Sequence, residues 1–245
     1  MRIILLIISL IAFTQSSGQT KLQTLEITRL TDNFYVYTTY HLLGKDLVYP
    51  ANSMYLVTAR GVVLFDTPWD TTQFQPLLDS IEAKHHKKVI ACFATHSHED
   101  RTAGLEFYRA KGIRTFTSRK TDSICAIRNN KRAEFLLQGD SSFHIGGYQF
   151  LVFFPGAGHT SDNLVVWFDK QKILYGGCFI KSTAAADLGN LADADTQAWP
   201  ASIKKVQLQC KAIRYVIPGH QDWTNPNSLE HTLALLEAYH KQVKQ

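Results

Sequence analysis

An apolar run passes directly into a polar cluster at residues 89–101, which read VIACFATHSHEDR. The apolar part has the length of a buried strand. Residues two apart in an extended chain project to the same side, so His96 and His98 can contact one ion while Ser97 points away. Asp100, one step further along, can reach a neighbouring position. This segment therefore predicts a strand that ends in a metal-binding loop.

Three further predicted strands also end next to a residue that can bind a metal. These residues are His159, Cys178 and His220, which follow apolar segments that end near positions 154, 175 and 217. A glycine directly precedes each of them. Because glycine tolerates backbone angles that other residues avoid, we expect it to allow the sharp turn that aims each side chain inward.

These side chains divide into two sets of metal donors. One set consists of three imidazoles, the pattern of a catalytic zinc ion that keeps a position open for water, and comprises His96, His98 and His159. The other set mixes oxygen, sulfur and nitrogen donors and comprises Asp100, Cys178 and His220. Its thiolate favours zinc over magnesium, calcium or manganese. The pattern therefore predicts two Zn²⁺ ions per chain.

The remainder of the chain predicts a single α/β domain over residues 19–245. Strand patterns from Leu25 to Phe65 predict a β-meander, after which strand and helix patterns alternate. Further strands are expected at residues 114–117, 149–154, 164–168, 173–175 and 214–217. Helices are expected at residues 71–83, 102–110, 120–128 and 197–209 and at the C-terminus. Since no repeat or Ser/Gly-rich linker interrupts the pattern, the helices are expected to pack on one mixed β core.

Residues 1–18 have the pattern of a signal peptide. Arg2 precedes an apolar stretch, residues 3–13, that is too short to span a bilayer but has the length of a signal-peptide core. Cleavage is expected after Gly18, and no cysteine lies nearby to carry a lipid anchor. No later apolar run is long enough to cross a membrane. We therefore expect an exported, periplasmic protein without a membrane anchor.

Composition and charge exclude several other classes of protein. The chain has 245 residues, of which 45% are hydrophobic and 19% charged, as is ordinary for a globular protein. The formal charge is only +5 and the basic residues are scattered, so no nucleic-acid partner is expected. Nothing calls for a partner subunit either, and we predict a monomer. Four cysteines are too few for a disulfide scaffold, and the pairing of Cys92, Cys125 and Cys210 stays open.

Five sequence motifs occur together in this chain. They are Phe65-Asp66-Thr67-Pro68-Trp69, His96-Ser97-His98-Glu99-Asp100-Arg101, Gly158-His159-Thr160-Ser161-Asp162-Asn163, Gly176-Gly177-Cys178 with Lys181, and Pro218-Gly219-His220. At these motifs the sequence resembles the metallo-β-lactamases, specifically the dizinc enzymes of the first subclass of class B. The resemblance implies a four-layer αβ/βα sandwich with the metals in a groove at one edge. Arg101 and Cys178 separate the sequence from the glyoxalase-type thioesterases and lactonases of the wider superfold.

The resemblance also implies an activity and a role for individual residues. It implies that a metal-bound hydroxide opens the ring of penicillins, cephalosporins and carbapenems, which confers antibiotic resistance. Asp100 would orient the hydroxide as well as bind metal. Lys181 would pair with the carboxylate beside the lactam nitrogen, and Asn190 would offer an amide donor to the lactam oxygen. Asp66 and Arg101 would hold the ligand loops without touching the metal.

Two other functions are compatible with the same donors. A thioesterase or lactonase of this fold would hydrolyse acylglutathione or lactones and would not depend on Lys181. An exported zinc-binding protein without a reaction would hold both metals tightly. Each predicted site is one donor short of tetrahedral closure, however, and this favours catalysis.

The segment from Tyr40 to Pro50 lies between two predicted strands and carries apolar residues around a glycine, Gly44. Exposed apolar side chains beside a glycine hinge would suit a flap that closes over substrate. In an ordinary hairpin loop, Leu42 and Leu43 would instead pack inward. We favour the flap.

Overall fold

The computed structural model describes residues 25–44 and 47–244. The predicted signal peptide, residues 1–18, lies outside these ranges. Within them, no helix combines the length and the apolar character needed to cross a bilayer.

The first of two mixed β-sheets has seven strands in sequential order. They are β1 (Leu25–Thr31), β2 (Phe34–Leu43), β3 (Leu47–Thr58), β4 (Gly61–Phe65), β5 (Val89–Phe93), β6 (Arg114–Ser118) and β7 (Phe135–Leu137). Neighbours from β1 to β4 are antiparallel, which confirms the predicted β-meander. Neighbours from β4 to β7 run parallel.

The second sheet has five strands in the order β12-β11-β10-β9-β8. They are β8 (Ser141–Ile145), β9 (Tyr148–Phe153), β10 (Val165–Phe168), β11 (Ile173–Gly177) and β12 (Tyr215–Pro218). β11 and β12 are parallel, and the other neighbours are antiparallel. Both β11 and β12 therefore deliver their C-terminal ends to the same side of the sheet.

Six α-helices of the described chain cover the two sheets. They are α1 (Phe74–His85), α2 (Glu99–Thr102), α3 (Leu105–Ala110), α4 (Arg119–Arg128), α5 (Trp199–Gln209) and α6 (Ser228–Val243). Local capping fixes two of their ends. The Ser118 side chain accepts a hydrogen bond from the Thr121 amide at the start of α4, and His86 adopts a left-handed conformation just after α1.

Three clusters of buried apolar residues define four layers. The central cluster joins residues of both sheets, such as Phe65 from the first and Phe150 from the second. A second cluster packs Leu77 and Ile81 of α1 against the outer face of the first sheet. A third packs α5 and α6 against the outer face of the second sheet. The order of layers is helix, sheet, sheet, helix, and this confirms the predicted αβ/βα sandwich.

Two details of the secondary structure differ from the sequence prediction. The single helix predicted at residues 102–110 is wrong, because α2 and α3 are separate helices on either side of Gly104. The Gly104 amide donates to the Thr67 hydroxyl, and a β-carbon at Gly104 would lie 3.0 Å from that side chain. Strands β7 and β8 were not predicted, since they are short and several of their side chains are exposed or polar.

All four cysteines are buried and none of them forms a disulfide. Cys92 lies in the cluster beneath α1, whereas Cys210 lies beneath α6. Burial raises the pKa of the Cys125 thiol to about 11 and that of Cys210 to about 12. Burial also raises the pKa of Cys92 well above its usual range.

We expect a thiol reagent at pH 8 to label few cysteines in the native protein and all four after unfolding without a reductant. Since the thiolate is the reactive form, a pKa of about 11 leaves about one Cys125 thiol in a thousand reactive at pH 8. Counting thiols by absorbance before and after adding guanidinium chloride and a chelator tests this. Only two reactive thiols in the unfolded chain would contradict it, because they would indicate a disulfide.

Candidate active site

The predicted donor residues follow four strand ends at one edge of the sandwich. These ends belong to β5, β9, β11 and β12. Backbone hydrogen bonds connect the loops that follow them: the Leu164 amide donates to the Thr95 carbonyl at 2.7 Å, and the Gly219 amide donates to the Gly177 carbonyl at 2.8 Å. The strand ends and these cross-links bring together side chains that are far apart in the sequence.

The three imidazoles of the first donor set surround a common point. One ligand atom from each of His96, His98 and His159 lies within 4.8 Å of the other two. The three rings are nearly perpendicular to one another, with centroids 4.8 to 5.1 Å apart. This is an arrangement in which three nitrogens can bind one small cation.

Hydrogen bonds select which nitrogen of two histidines faces this point. In His98, Nε2 lies 2.7 Å from the Asp193 carboxylate, which leaves Nδ1 for a metal. In His96, the buried Nε2 has no hydrogen-bond partner. A buried nitrogen without a partner is costly, and a cation would satisfy it.

The second donor set forms a tight triangle. The Cys178 sulfur lies 3.3 Å from Asp100 Oδ2 and 3.2 Å from His220 Nε2, and the last two atoms are 3.3 Å apart. His220 Nδ1 lies 2.8 Å from the Pro50 carbonyl oxygen, so Nδ1 carries the proton and Nε2 keeps its lone pair. All three donor atoms are therefore available to a second cation.

Burial and neighbouring charges together set the protonation states of the two donor sets. Burial lowers the pKa of His96 and His159 well below the usual range and also lowers that of His220, so these imidazoles are neutral near pH 7. Burial alone would raise the pKa of Asp100, but Arg101 and the neighbouring histidines hold it well below its usual range. Burial raises the pKa of Cys178, a shift that a bound metal cation would reverse.

The chemistry of the donors fits zinc. Imidazole nitrogen, thiolate sulfur and carboxylate oxygen are the ligand atoms that zinc takes in proteins. Each set offers three of them and leaves a fourth position for water or substrate, as catalytic zinc sites do. The donors of both sets lie close enough for two neighbouring ions, because His96, Asp100 and Cys178 also have ligand atoms within 4.8 Å of one another.

Arg101 connects the second donor set to strand β3 and to the loop that follows β12. Its guanidinium is fully buried, with 0% exposure. It donates to Asp100 Oδ2 at 2.9 Å, to the Cys178 sulfur at 3.0 Å, and to the carbonyl oxygens of Asn52 at 2.7 Å and Gly219 at 2.8 Å. This one side chain thus positions both anionic donors.

Asp66 holds the loop that carries His96 and His98 in place. Its carboxylate accepts hydrogen bonds from the Thr95 amide and from the Tyr175 hydroxyl, both at 2.6 Å, and lies 3.5 Å from Arg101. Its backbone is left-handed, with φ of 68°. Burial raises the pKa of Asp66 to about 6 although all three neighbours act to lower it. The carboxylate therefore fixes the loop that begins at Thr95, directly before His96.

The three glycines that precede donors act in two different ways. Gly177 has a φ of +53°, as the predicted sharp turn requires. A β-carbon on Gly158 would lie 2.6 Å from the Phe179 ring, and one on Gly219 would lie 2.6 Å from the Cys178 backbone nitrogen. Gly158 and Gly219 do not have a positive φ, and glycine is needed there for close packing.

A groove with a cavity volume of about 510 Å³ lies over the two donor sets, a size typical of small-molecule sites. Donors from both sets line it, as do Leu43, Trp69, Lys181 and Asn190. The Lys181 ammonium lies 5.5 Å from the centre of the Trp199 ring. Charged, amide and apolar side chains therefore share the lining of the groove with the metal donors.

Lys181 and Asn190 both have functional groups suited to binding a ligand in the groove. Burial lowers the pKa of Lys181, and the charges of Cys178 and Asp100 oppose this. Asn190 is exposed, and its side-chain oxygen accepts a hydrogen bond from the Ala192 amide at 3.0 Å. This leaves its NH₂ group as the part that can donate to a ligand.

Sequence reasoning missed an ion pair that holds His98. Arg128 donates two hydrogen bonds to the Asp193 carboxylate, one of them at 2.7 Å, and this carboxylate contacts His98. The two partners are 65 residues apart and belong to no motif. A pair of common charged residues at such a separation leaves no signal in a single sequence.

The segment from Tyr40 to Pro50 is the end of the β2–β3 hairpin rather than a separate loop. Strand pairing continues to Leu43 and Leu47. Leu42 and Leu47 are exposed by 44% and 57%, so the alternative of inward-packed leucines is wrong for Leu42. Leu43 lines the groove. The exposed apolar tip agrees with a flap, and closure over a ligand stays a prediction.

Comparison with known proteins gives consistent results from sequence and structure. No family model matched the chain. The chain is 42% identical over 233 residues to metallo-β-lactamase type 2 of Elizabethkingia meningoseptica, which covers 95% of this chain and 91% of that protein. It is 42% identical over 207 residues to metallo-β-lactamase IND-1 of Chryseobacterium indologenes, covering 84% and 86%. The crystal structure of metallo-β-lactamase IND-7 matches with a TM-score of 0.84 and 41% identity, covering 89% of this chain and 100% of that one.

Proposed function

The chain belongs to the metallo-β-lactamase family, and from this we propose how its residues carry out the zinc-dependent hydrolysis of β-lactams. The first zinc ion binds His96, His98 and His159, and the second binds Asp100, Cys178 and His220. Zinc in such sites polarises a carbonyl group and acidifies water. The observation that carries the proposal is the convergence of both donor sets beneath one groove.

Lys181 binds the carboxylate that β-lactams carry beside the lactam nitrogen. Lys181 lines the groove, where the charges of Cys178 and Asp100 act on it, and an ammonium attracts a carboxylate as a point charge on a flexible stem. This contact fixes one end of the substrate. The lactam ring then lies over the floor of the groove.

Asn190 and Asp100 act on the reacting atoms. The Asn190 NH₂ group donates a hydrogen bond to the lactam oxygen, which becomes more negative as the carbonyl is attacked. Asp100 Oδ1 lies 3.9 Å from His96 Nε2, between the two donor sets. The other oxygen, Oδ2, accepts a hydrogen bond from Arg101. Oδ1 can therefore accept a hydrogen bond from the attacking water and orient its lone pair toward the carbonyl carbon.

Arg101 and Asp66 position the donors without contacting substrate. Their hydrogen bonds to Asp100, Cys178 and the Thr95 loop support this role. Residues 1–18 act as a signal peptide, and residues 19–245 form one periplasmic domain that works as a monomer. The charged residue and apolar core of the first segment support export.

The proposal is tested by mixing the protein with benzylpenicillin, cephalothin and imipenem and following the loss of lactam absorbance. We expect all three to be hydrolysed, and we expect dipicolinate to stop the reaction and added zinc to restore it. Acylglutathione and simple lactones serve as control substrates and should remain intact. If the protein with two zinc ions bound hydrolyses none of the three drugs, the proposal is contradicted.

Replacing Lys181 by alanine is expected to lower kcat/KM for imipenem roughly 10- to 100-fold, mainly through KM, since a charge-assisted hydrogen bond contributes about 1.5–3 kcal/mol. Zinc content should stay at two per chain, because Lys181 is not a metal donor. Steady-state kinetics and elemental analysis measure the two effects. Lys204→Ala on the exposed face of α5 is the control and should change neither. An unchanged KM in the Lys181 variant would show that Lys181 does not bind the substrate carboxylate.

A further inference from the structure

A second lobe opens from the active-site groove beside Lys181. Its cavity volume is about 230 Å³. Tyr49, Lys181, Gly189 and His220 line both spaces, so the lobe adjoins the groove. The rest of its wall comes mainly from the segment that follows Lys181. A substrate held by Lys181 can therefore extend a substituent into this space.

Asp187 provides the negative charge of this lobe. Among the described residues that line it, Asp187 is the one with a carboxylate. Its Oδ1 accepts a hydrogen bond from the Gly189 amide at 2.7 Å, which fixes the carboxylate in the wall. After burial and the charge of Cys178, the charge of Asp187 is a further cause that raises the pKa of Tyr49. Asp187 and Tyr49 both line the lobe and are therefore close enough for the charge of one to act on the other.

The chemistry of cephalosporins determines which part of the substrate occupies the lobe. In these drugs the carbon that carries the carboxylate is bonded to C3, and C3 carries a variable substituent. The acyl side chain is attached on the far side of the lactam ring. If Lys181 binds the carboxylate, the C3 substituent lies next to Lys181 and enters the lobe. This step rests on the proposed function, and in particular on the proposed role of Lys181.

We infer that Asp187 makes this enzyme prefer cephalosporins whose C3 substituent carries a positive charge. Such a substrate is an internal salt, with a carboxylate and a cation on neighbouring carbons. The lobe presents the complementary pair, an ammonium at Lys181 and a carboxylate at Asp187. A neutral substituent fills the same space without the attraction.

Cephaloridine and cephalothin test this inference because they share the thienylacetyl side chain and differ only at the C3 substituent. Cephaloridine carries a pyridinium group there, and cephalothin carries a neutral acetoxy group. The measured quantity is the kcat/KM for cephaloridine divided by the kcat/KM for cephalothin. Comparing this ratio between variants cancels the intrinsic difference in their reactivity.

Asp187→Asn is expected to lower the ratio roughly three- to tenfold, the effect of one charge pair about 6 Å apart that water screens to an effective dielectric constant of about 40–80. Asparagine removes the charge but keeps an oxygen that can accept from the Gly189 amide. Asp187→Glu should retain most of the preference. Glu82→Gln, at an exposed residue of α1 outside both the groove and the lobe, changes the net charge equally and should leave the ratio unchanged.

Salt provides a second measurement on the unaltered enzyme. The ratio should fall as ionic strength rises toward 1 M, because the screening length shrinks from about 8 Å at 0.15 M to about 3 Å. A ratio that is insensitive both to salt and to Asp187→Asn would overturn the inference while leaving lactam hydrolysis intact. Failure of the zinc-loaded enzyme to hydrolyse either drug would overturn the proposed function instead.

Discussion

Replacing Cys178 by serine is expected to remove one of the two zinc ions and to lower kcat/KM for imipenem by at least about 100-fold. Groups that only hydrogen-bond to a metal ligand already change metal affinity or activity about 10- to 100-fold when they are mutated. In the proposed second zinc site Cys178 would contribute the donor atom itself, at one corner of the triangle with Asp100 and His220. A serine hydroxyl is a poorer zinc ligand than a thiolate.

Elemental analysis of dialysed protein and steady-state kinetics measure the two parts of this prediction. The variant should retain about one zinc per chain, held by the three histidines. Cys210→Ser is the matched control, because Cys210 is equally buried but lies in the core beneath α6. It should keep two zinc ions. Two tightly bound zinc ions and full activity in Cys178→Ser would show that the thiolate is not a metal ligand.

Replacing Arg101 by methionine is expected to lower the free energy of unfolding of the metal-free protein by about 3–5 kcal/mol. Methionine fills much of the same volume but leaves buried Asp100 and Asp66 without their cation. It also leaves the carbonyl oxygens of Asn52 and Gly219 without their donor. Breaking a buried ion pair by removing one partner is costly for this reason.

Zinc should reduce the loss of unfolding free energy in Arg101→Met, because a cation at the second donor set would again balance the negative charge of Asp100. Guanidinium denaturation with and without zinc measures both quantities. Arg132→Met is the control: Arg132 also pairs with an aspartate, Asp122, but its own side chain is exposed, so its loss should cost much less. An equally small effect in Arg101→Met would show that the buried network is not needed to hold the fold together.

The donor residues could be predicted from sequence because their signal is local. His96 and His98 stand two apart directly after an apolar strand, and this spacing alone brings their rings together. His159, Cys178 and His220 are chemically distinctive residues at strand ends. The apolar run of β5 likewise predicted a central strand that is buried along almost its whole length.

Other features depend on contacts that a single sequence does not encode locally. The pairing of Arg128 with Asp193 joins the end of α4 to a loop that follows β11. The lobe beside Asp187 exists only because three distant parts of the chain face one another, at Tyr49, residues 180–189 and residues 220–221. Gly219 is required by the backbone of Cys178, which the fold brings within 2.6 Å of a β-carbon position. Tertiary packing, not local propensity, decides these features.

The floor and the walls of the groove are built from different parts of the fold. The floor follows strands that are buried in the sandwich, whereas the exposed hairpin tip and the loop around Asn190 form the walls. Substitutions that arise under antibiotic selection can therefore alter the walls at little cost to folding. An inhibitor that gains most of its affinity from the floor should be harder to escape by mutation than one that depends on the walls.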